Sequence, residues 1–95
     1  MSYLLTPAAY RDLAAIGRYT EKKWGKTQRN RYIKALAERF LLLAKQPGMG
    51  KSRTEVAAGY FSFAHAEHVI FYLKQPEHIV IIGIVHRRAD PGHHF

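Results

Sequence analysis

The feature that most constrains this chain is the run Ile79-Val80-Ile81-Ile82-Gly83-Ile84-Val85, which contains no polar side chain. Successive side chains of a strand point to opposite faces. A strand built from this run is therefore apolar on both faces and has to be covered on both, which predicts an interior strand. As a helix it is far too short to cross a bilayer, which takes about 20 apolar residues. The chain has 95 residues, room for one domain over 1–95 and no second core. It has no cysteine, so a disulfide framework, a thiolate nucleophile and a cysteine metal site are all excluded.

The periodicity upstream of this run is different. Ser2–Leu5 reads as a short strand. Thr6-Pro7 has the form of a helix start, with Thr6 as N-cap and proline at the first helical position. Ala9, Leu13, Ile16, Thr20 and Trp24 recur at three- and four-residue spacing, and Gly25 follows as a stop. Thr27 is suited to cap a second helix. There Ile33, Leu36, Ala37, Phe40, Leu43 and Ala44 form one apolar face, with Arg29, Arg31, Lys34, Glu38 and Lys45 opposite. A link of two or three residues makes the pair an antiparallel hairpin. Tyr19, Trp24 and Phe40 fall on or near the apolar stripes and are expected in the core rather than as stacking platforms.

Pro47-Gly48-Met49-Gly50 ends the second helix and opens a basic loop through Arg53. From Gly59 the pattern becomes strand-like. Phe61 and Phe63 share one face with Ser62 on the other, and His68–Lys74 is rich in β-branched and aromatic residues. Gln75-Pro76-Glu77 turns the chain into the apolar run. The expected order is β-α-α-β-β-β, an α+β two-layer fold with a helical hairpin packed on a small, mainly antiparallel sheet.

The net charge of +8 is unevenly placed. Lys22 to Arg53 holds ten Lys and Arg against one acid, Glu38, so it carries +9 and the remainder carries −1. Such a patch implies an acidic partner or a solvated helix face. Direct duplex binding by the hairpin is the less favoured form of the first reading; it would show as steep salt dependence. The first residues have neither a basic n-region nor a long apolar stretch, so no signal peptide is expected there and the expected location is the cytoplasm. His86, His93 and His94 lack the spacing of a metal motif, and neither a metal nor another cofactor is expected.

The last ten residues, His86-Arg87-Arg88-Ala89-Asp90-Pro91-Gly92-His93-His94-Phe95, resemble the ending His-x-Arg-Met-Asp-Pro-x-x-His-Leu of ParE proteins, with Ala89 and Phe95 in place of Met and Leu. Leu5-Thr6-Pro7-Ala8-Ala9 is similar to the family's opening Leu-Ser-Pro-x-Ala. Tyr19 through Trp24-Gly25 resembles its Tyr-x-x-x-x-Trp-Gly. Gly59-Tyr60 and His68-Val69-Ile70-Phe71-Tyr72 resemble two further segments. The likeness runs from about residue 3 to residue 95 and implies the RelE/ParE-like fold. It also implies a toxin of a type II toxin–antitoxin system of the kind used in plasmid maintenance, inhibiting DNA gyrase and neutralised by a ParD-like antitoxin in a hetero-oligomer. The alternative within the superfamily is a RelE-like toxin that cleaves mRNA on the ribosome.

Fold cannot choose between these activities. RelE-type nucleases carry an Arg on the first strand of the meander, where this chain has Tyr60-Phe61-Ser62-Phe63-Ala64. Phe61 is expected to fill an apolar contact instead. A gyrase poison acting by binding rather than catalysis is thus preferred, with His86, Arg87, Arg88, Asp90, Pro91 and His94 as expected target contacts. In the nuclease alternative His86 and Arg88 would serve as acid/base and phosphate ligand. The expected antitoxin contacts are Arg29, Arg31, Lys34, Lys51, Arg53 and Tyr60. Local roles compete with these: a turn cap or a pair with Arg87 or Arg88 for Asp90, and a structural role for His86.

Overall fold

The computed structural model describes residues 2–95. The elements are β1 (Ser2–Leu5), α1 (Pro7–Trp24), α2 (Lys26–Lys45), β2 (Lys51–Ser52), β3 (Phe61–His65), β4 (His68–Lys74), β5 (His78–His86) and a final helical turn, α3 (Pro91–His94). Thr6 caps α1 as expected, its hydroxyl accepting from the Ala9 N–H at 3.0 Å. Gly25 closes α1 by donating to Glu21 O at 2.8 Å. With φ at +92° it is also the N-cap of α2, a conformation that favours glycine. The link between the helices is therefore one residue, shorter than expected. Thr27 lies inside α2, whose start has no side-chain cap.

The sheet has five strands in the order β1-β5-β4-β3-β2. The meander β3-β4-β5 is antiparallel as expected, and β1 adds in parallel, Ser2 opposite His78 through Leu5 opposite Ile81. The expected basic loop is partly ordered. A 3-10 turn at Pro47–Met49 leads into β2, which pairs with β3. Such a two-residue strand carries no readable periodicity. Within β4–β5 the register shifts: Phe71 faces Gly83 while Tyr72 faces Ile81, leaving Ile82 as an extra residue. This bulge puts Ile79, Ile81 and Ile84 all on the helix-facing side.

The core lies between hairpin and sheet. Ala9, Ile16, Leu36, Phe40, Leu43 and Ala44 pack against Ile70, Tyr72, Ile79, Ile81 and Ile84. Phe61 and Phe63 join this side, and Phe61 stacks on Tyr72 at 5.9 Å. Phe40 is buried as expected. Tyr19 and Trp24 are not: they are 61% and 65% exposed, because hairpin and sheet diverge at that end and leave a groove. Among the described residues no helix is long and apolar enough to cross a membrane.

Tyr72 ties the loop after α2 to the sheet. Its hydroxyl donates to Pro47 O at 2.7 Å and accepts from the Gly50 N–H at 2.9 Å. Burial pushes its pKa above the usual tyrosine value, partly offset by the Gly50 donor. A side chain at position 50 would collide with the Tyr72 hydroxyl, so glycine is required there. Tyr72→Phe keeps the ring but strands both backbone groups. It should cost about 1–3 kcal/mol in urea denaturation, and hydrogen exchange should accelerate first at the Gly50 amide.

Candidate functional site

The divergence of hairpin and sheet creates a half-open groove of about 780 Å3. One wall is α1 (Asp12, Ala15, Ile16, Tyr19, Lys23, Trp24), continued by Gln28 and Tyr32 of α2; the other is the β3–β4 turn and the end of β5 (Glu67, His68, Ile84, His86, Arg88). Its floor is aliphatic. Lys23 Nζ donates to the Tyr19 hydroxyl at 3.3 Å and lies 5.6 Å from the Trp24 ring centroid, a cation–π distance. Such cation–π contacts are worth about 0.5–1 kcal/mol when exposed.

A polar cluster closes one end. Tyr32 Oη lies 2.7 Å from His68 Nδ1 and accepts from the Glu67 N–H at 3.3 Å. Burial raises the Tyr32 pKa; the Glu67 amide opposes that shift and the Glu67 carboxylate adds to it. His68 is held below its ordinary pKa, first by burial and then by the charge of His86; Glu67 acts the other way and His65 adds a small depression. His65 is lowered as well, by burial and by Arg39. His86 is hydrogen-bonded through one ring nitrogen and faces Glu67 with the other. Nδ1 accepts from the Arg88 N–H at 3.1 Å, and Nε2 is 3.8 Å from Glu67.

At the other end Asp12 ties three elements together. Its Oδ2 accepts from the Ile84 N–H at 3.0 Å and lies 2.9 Å from His94 Nε2. The segment after β5 is thereby brought back over the sheet. Asp90 caps α3, accepting from the Gly92 N–H at 2.9 Å. Phe95 lodges over Gly83, edge-on to Phe71 at 5.1 Å and Tyr60 at 5.3 Å. Arg53 covers Phe71 from the same side, 5.1 Å above the ring, and donates to Ser62 at 3.1 Å and to Glu55 at 2.6 Å. That bond holds the Glu55 carboxyl below its ordinary pKa. These side chains form a second surface, on the sheet face away from the hairpin.

The expected target residues divide between the two surfaces. His86 and Arg88 line the groove, whereas Asp90, Pro91 and His94 belong to the segment leading to the sheet face. Arg87 turns aside to Glu67 at 3.3 Å. Asp90 pairs with neither Arg87 nor Arg88; its ionic neighbour is His93, at 3.6 Å. The expected antitoxin set also divides. Arg31 and Lys34 are exposed on α2 and Lys51 on β2. Arg29 is paired with Glu21 of α1, and Arg53 and Tyr60 sit on the far sheet face. The residues missed from sequence are Asp12, Tyr32, Glu67 and His68. Asp12 had a signal: an acid at helical spacing from Ala9 and Ile16, on the face α1 turns to the sheet. Among the described residues no group of His and acids is placed to hold a metal ion.

Two outcomes follow from this geometry. The folded-state pKa of His68 lies below its unfolded value, so its contribution to stability is present above the unfolded pKa near 6.5. That contribution is lost as pH falls through the folded value, because the unfolded chain takes up the proton first. Thermal melts from pH 7.5 to 5 should show declining stability, and His68→Gln, which keeps an acceptor for Tyr32, should flatten the decline. In Gly83→Ala the new methyl would meet the Phe95 ring at 2.6 Å. This variant should release the segment: amide exchange at His93 and Phe95 should rise about tenfold, and global stability should fall by about 1–2 kcal/mol, as that factor requires.

Comparison with known proteins bears on what these surfaces serve. Residues 3–91 match the family model of the ParE toxin of the type II toxin–antitoxin system, parDE. The chain is 33% identical over 92 residues to Toxin ParE1 of Caulobacter vibrioides, covering 97% of this chain and 95% of that one. It is 33% identical over 90 residues to Toxin ParE of Escherichia coli, covering 94% and 87%. It is 30% identical over 89 residues to Toxin ParE1 of Mycobacterium tuberculosis, covering 93% and 91%. In fold it is similar to a chain of the chromosomal ParDE TA system from P. aeruginosa, with a TM-score of 0.78 at 19% identity over 90% of this chain and 95% of that one. With a family match from the first strand into the last helical turn, the chain belongs to the ParE toxins of type II toxin–antitoxin systems.

Proposed function

We propose that this toxin acts by binding DNA gyrase and is held inactive by a ParD-like antitoxin in a hetero-oligomer, in the cytoplasm. The observation that carries this reading is the family match over residues 3–91 together with relatives named ParE along nearly the whole chain. Action by binding rather than catalysis is supported by the state of the groups a nuclease would use. RNA cleavage needs a free acid/base pair converging with cations on the phosphate. Here Arg53 is engaged by Glu55 and Ser62, and His86 Nδ1 is taken by the Arg88 amide. Next to Tyr60, on the first meander strand, Phe61 stacks on Tyr72 where a nuclease would carry a cation.

In this reading His86, Arg87, Arg88, Asp90, Pro91 and His94 contact the target. Arg29, Arg31, Lys34, Lys51, Arg53 and Tyr60 receive the antitoxin. A partner serving these last six has to reach both the outer face of the hairpin and the far face of the sheet. That suits an acidic, partly disordered chain that folds as it wraps.

The test is purified protein with gyrase, ATP and relaxed plasmid. Supercoiling should be lost or cleaved DNA trapped, and stoichiometric antitoxin should restore the reaction. No effect at large excess would overturn the gyrase assignment, and cleavage of ribosome-bound mRNA would replace it with the nuclease activity.

A further inference from the structure

The groove holds more than the expected target residues, and its charges are not balanced. Both acids that line it are committed within the chain: Asp12 to the Ile84 amide and His94, and Glu67 to Arg87 and the edge of His86. Among the described residues Lys22, Lys23 and Arg88 form no ion pair with an acid. A shallow depression lined by Tyr19, Lys22 and Lys23 adjoins the groove and continues the cationic rim. Tyr19 and Trp24 stand beside an aliphatic floor of Ala15, Ile16 and Ile84. Exposed tryptophan, tyrosine and arginine around one depression are the residue types that dominate protein–protein binding energy.

We propose that this groove seats an acidic segment of the target protein, with an aromatic or aliphatic side chain of that segment anchored between Tyr19 and Trp24. Carboxylates beside the anchor meet Lys22, Lys23 and Arg88. A protein segment fits better than a nucleic acid strand. A strand carries a charge at every nucleotide and would have to pass Asp12 and Glu67, whereas a protein segment can space its acids away from them. The inference rests on the target reading above, since His86 and Arg88 line the same groove, and it adds Tyr19, Lys23 and Trp24 to that contact.

The experiment compares full-length Trp24→Ala, Tyr19→Ala and Lys23→Glu with the wild type in gyrase supercoiling inhibition. Affinity for purified antitoxin and for duplex DNA alone is measured in parallel. The substituted side chains are exposed, so melting temperatures should match the wild type; a variant that melts early is replaced by Trp24→Gln. Inhibitory potency should fall at least about tenfold for Trp24→Ala and Lys23→Glu, with antitoxin affinity within about twofold of wild type. Unchanged potency in Trp24→Ala would overturn the proposal. An equal loss of antitoxin affinity would hand the groove to the antitoxin, and a matching loss of gyrase-free DNA affinity would hand it to nucleic acid; either overturns it. If the wild type itself leaves gyrase untouched, the target reading fails and this proposal falls with it. If the wild type inhibits and all three variants do so equally, the groove assignment alone fails.

Discussion

Everything in this structure depends on satisfying β5. It is apolar on both sides, yet the chain has helices enough for one layer only. The hairpin covers Ile79, Ile81 and Ile84. The opposite side, where Phe71 and Val85 are buried, is closed by Tyr60, Arg53 and the returning Phe95. Gly83 makes that return possible, since any side chain there would occupy the space of the Phe95 ring. The bulge at Ile82 serves the same end by turning Ile84 toward the helices. Asp12 then joins the two sides, because one carboxylate oxygen serves the β5 backbone and His94 together.

Much of the fold was legible because its long elements carry strong periodic signals. The Thr6-Pro7 start, the α2 stripe and the three-strand meander all stand where spacing and turn chemistry put them. The failures have physical causes. Thr27 has the right chemistry for a cap, but Gly25 at positive φ turns the chain in one residue and leaves no cap position for threonine. Strand β2 is two residues long and exists only through pairing with β3. Tyr19 and Trp24 sit near an apolar stripe, and a stripe tells which way a side chain points but not whether anything lies opposite. The sheet falls away beneath them.

The site was less legible than the fold. His86 and Arg88 were identified by motif and do line the groove. Their neighbours Tyr32, Glu67 and His68 come from other parts of the chain, and only the fold brings them together. Asp12 could have been found, as a single acid on a face otherwise turned to the core is worth a partner search. Of the two local roles expected for Asp90 the structure has the cap, with His93 rather than Arg87 or Arg88 as the ionic neighbour.

The one-residue joint at Gly25 has a consequence for recognition. Two helices of 18 and 20 residues share a hinge with no slack, and the Arg29–Glu21 pair braces them across it. The cations of the hairpin are thus displayed on a stiff frame whose shape is set before any encounter. When one side of a complex is already rigid, the entropy of ordering is borne by the other. Affinity for this frame is then governed by how far the incoming chain is shaped in advance. Evolution could tune the lifetime of such a complex by stiffening or loosening the partner while leaving the hairpin untouched.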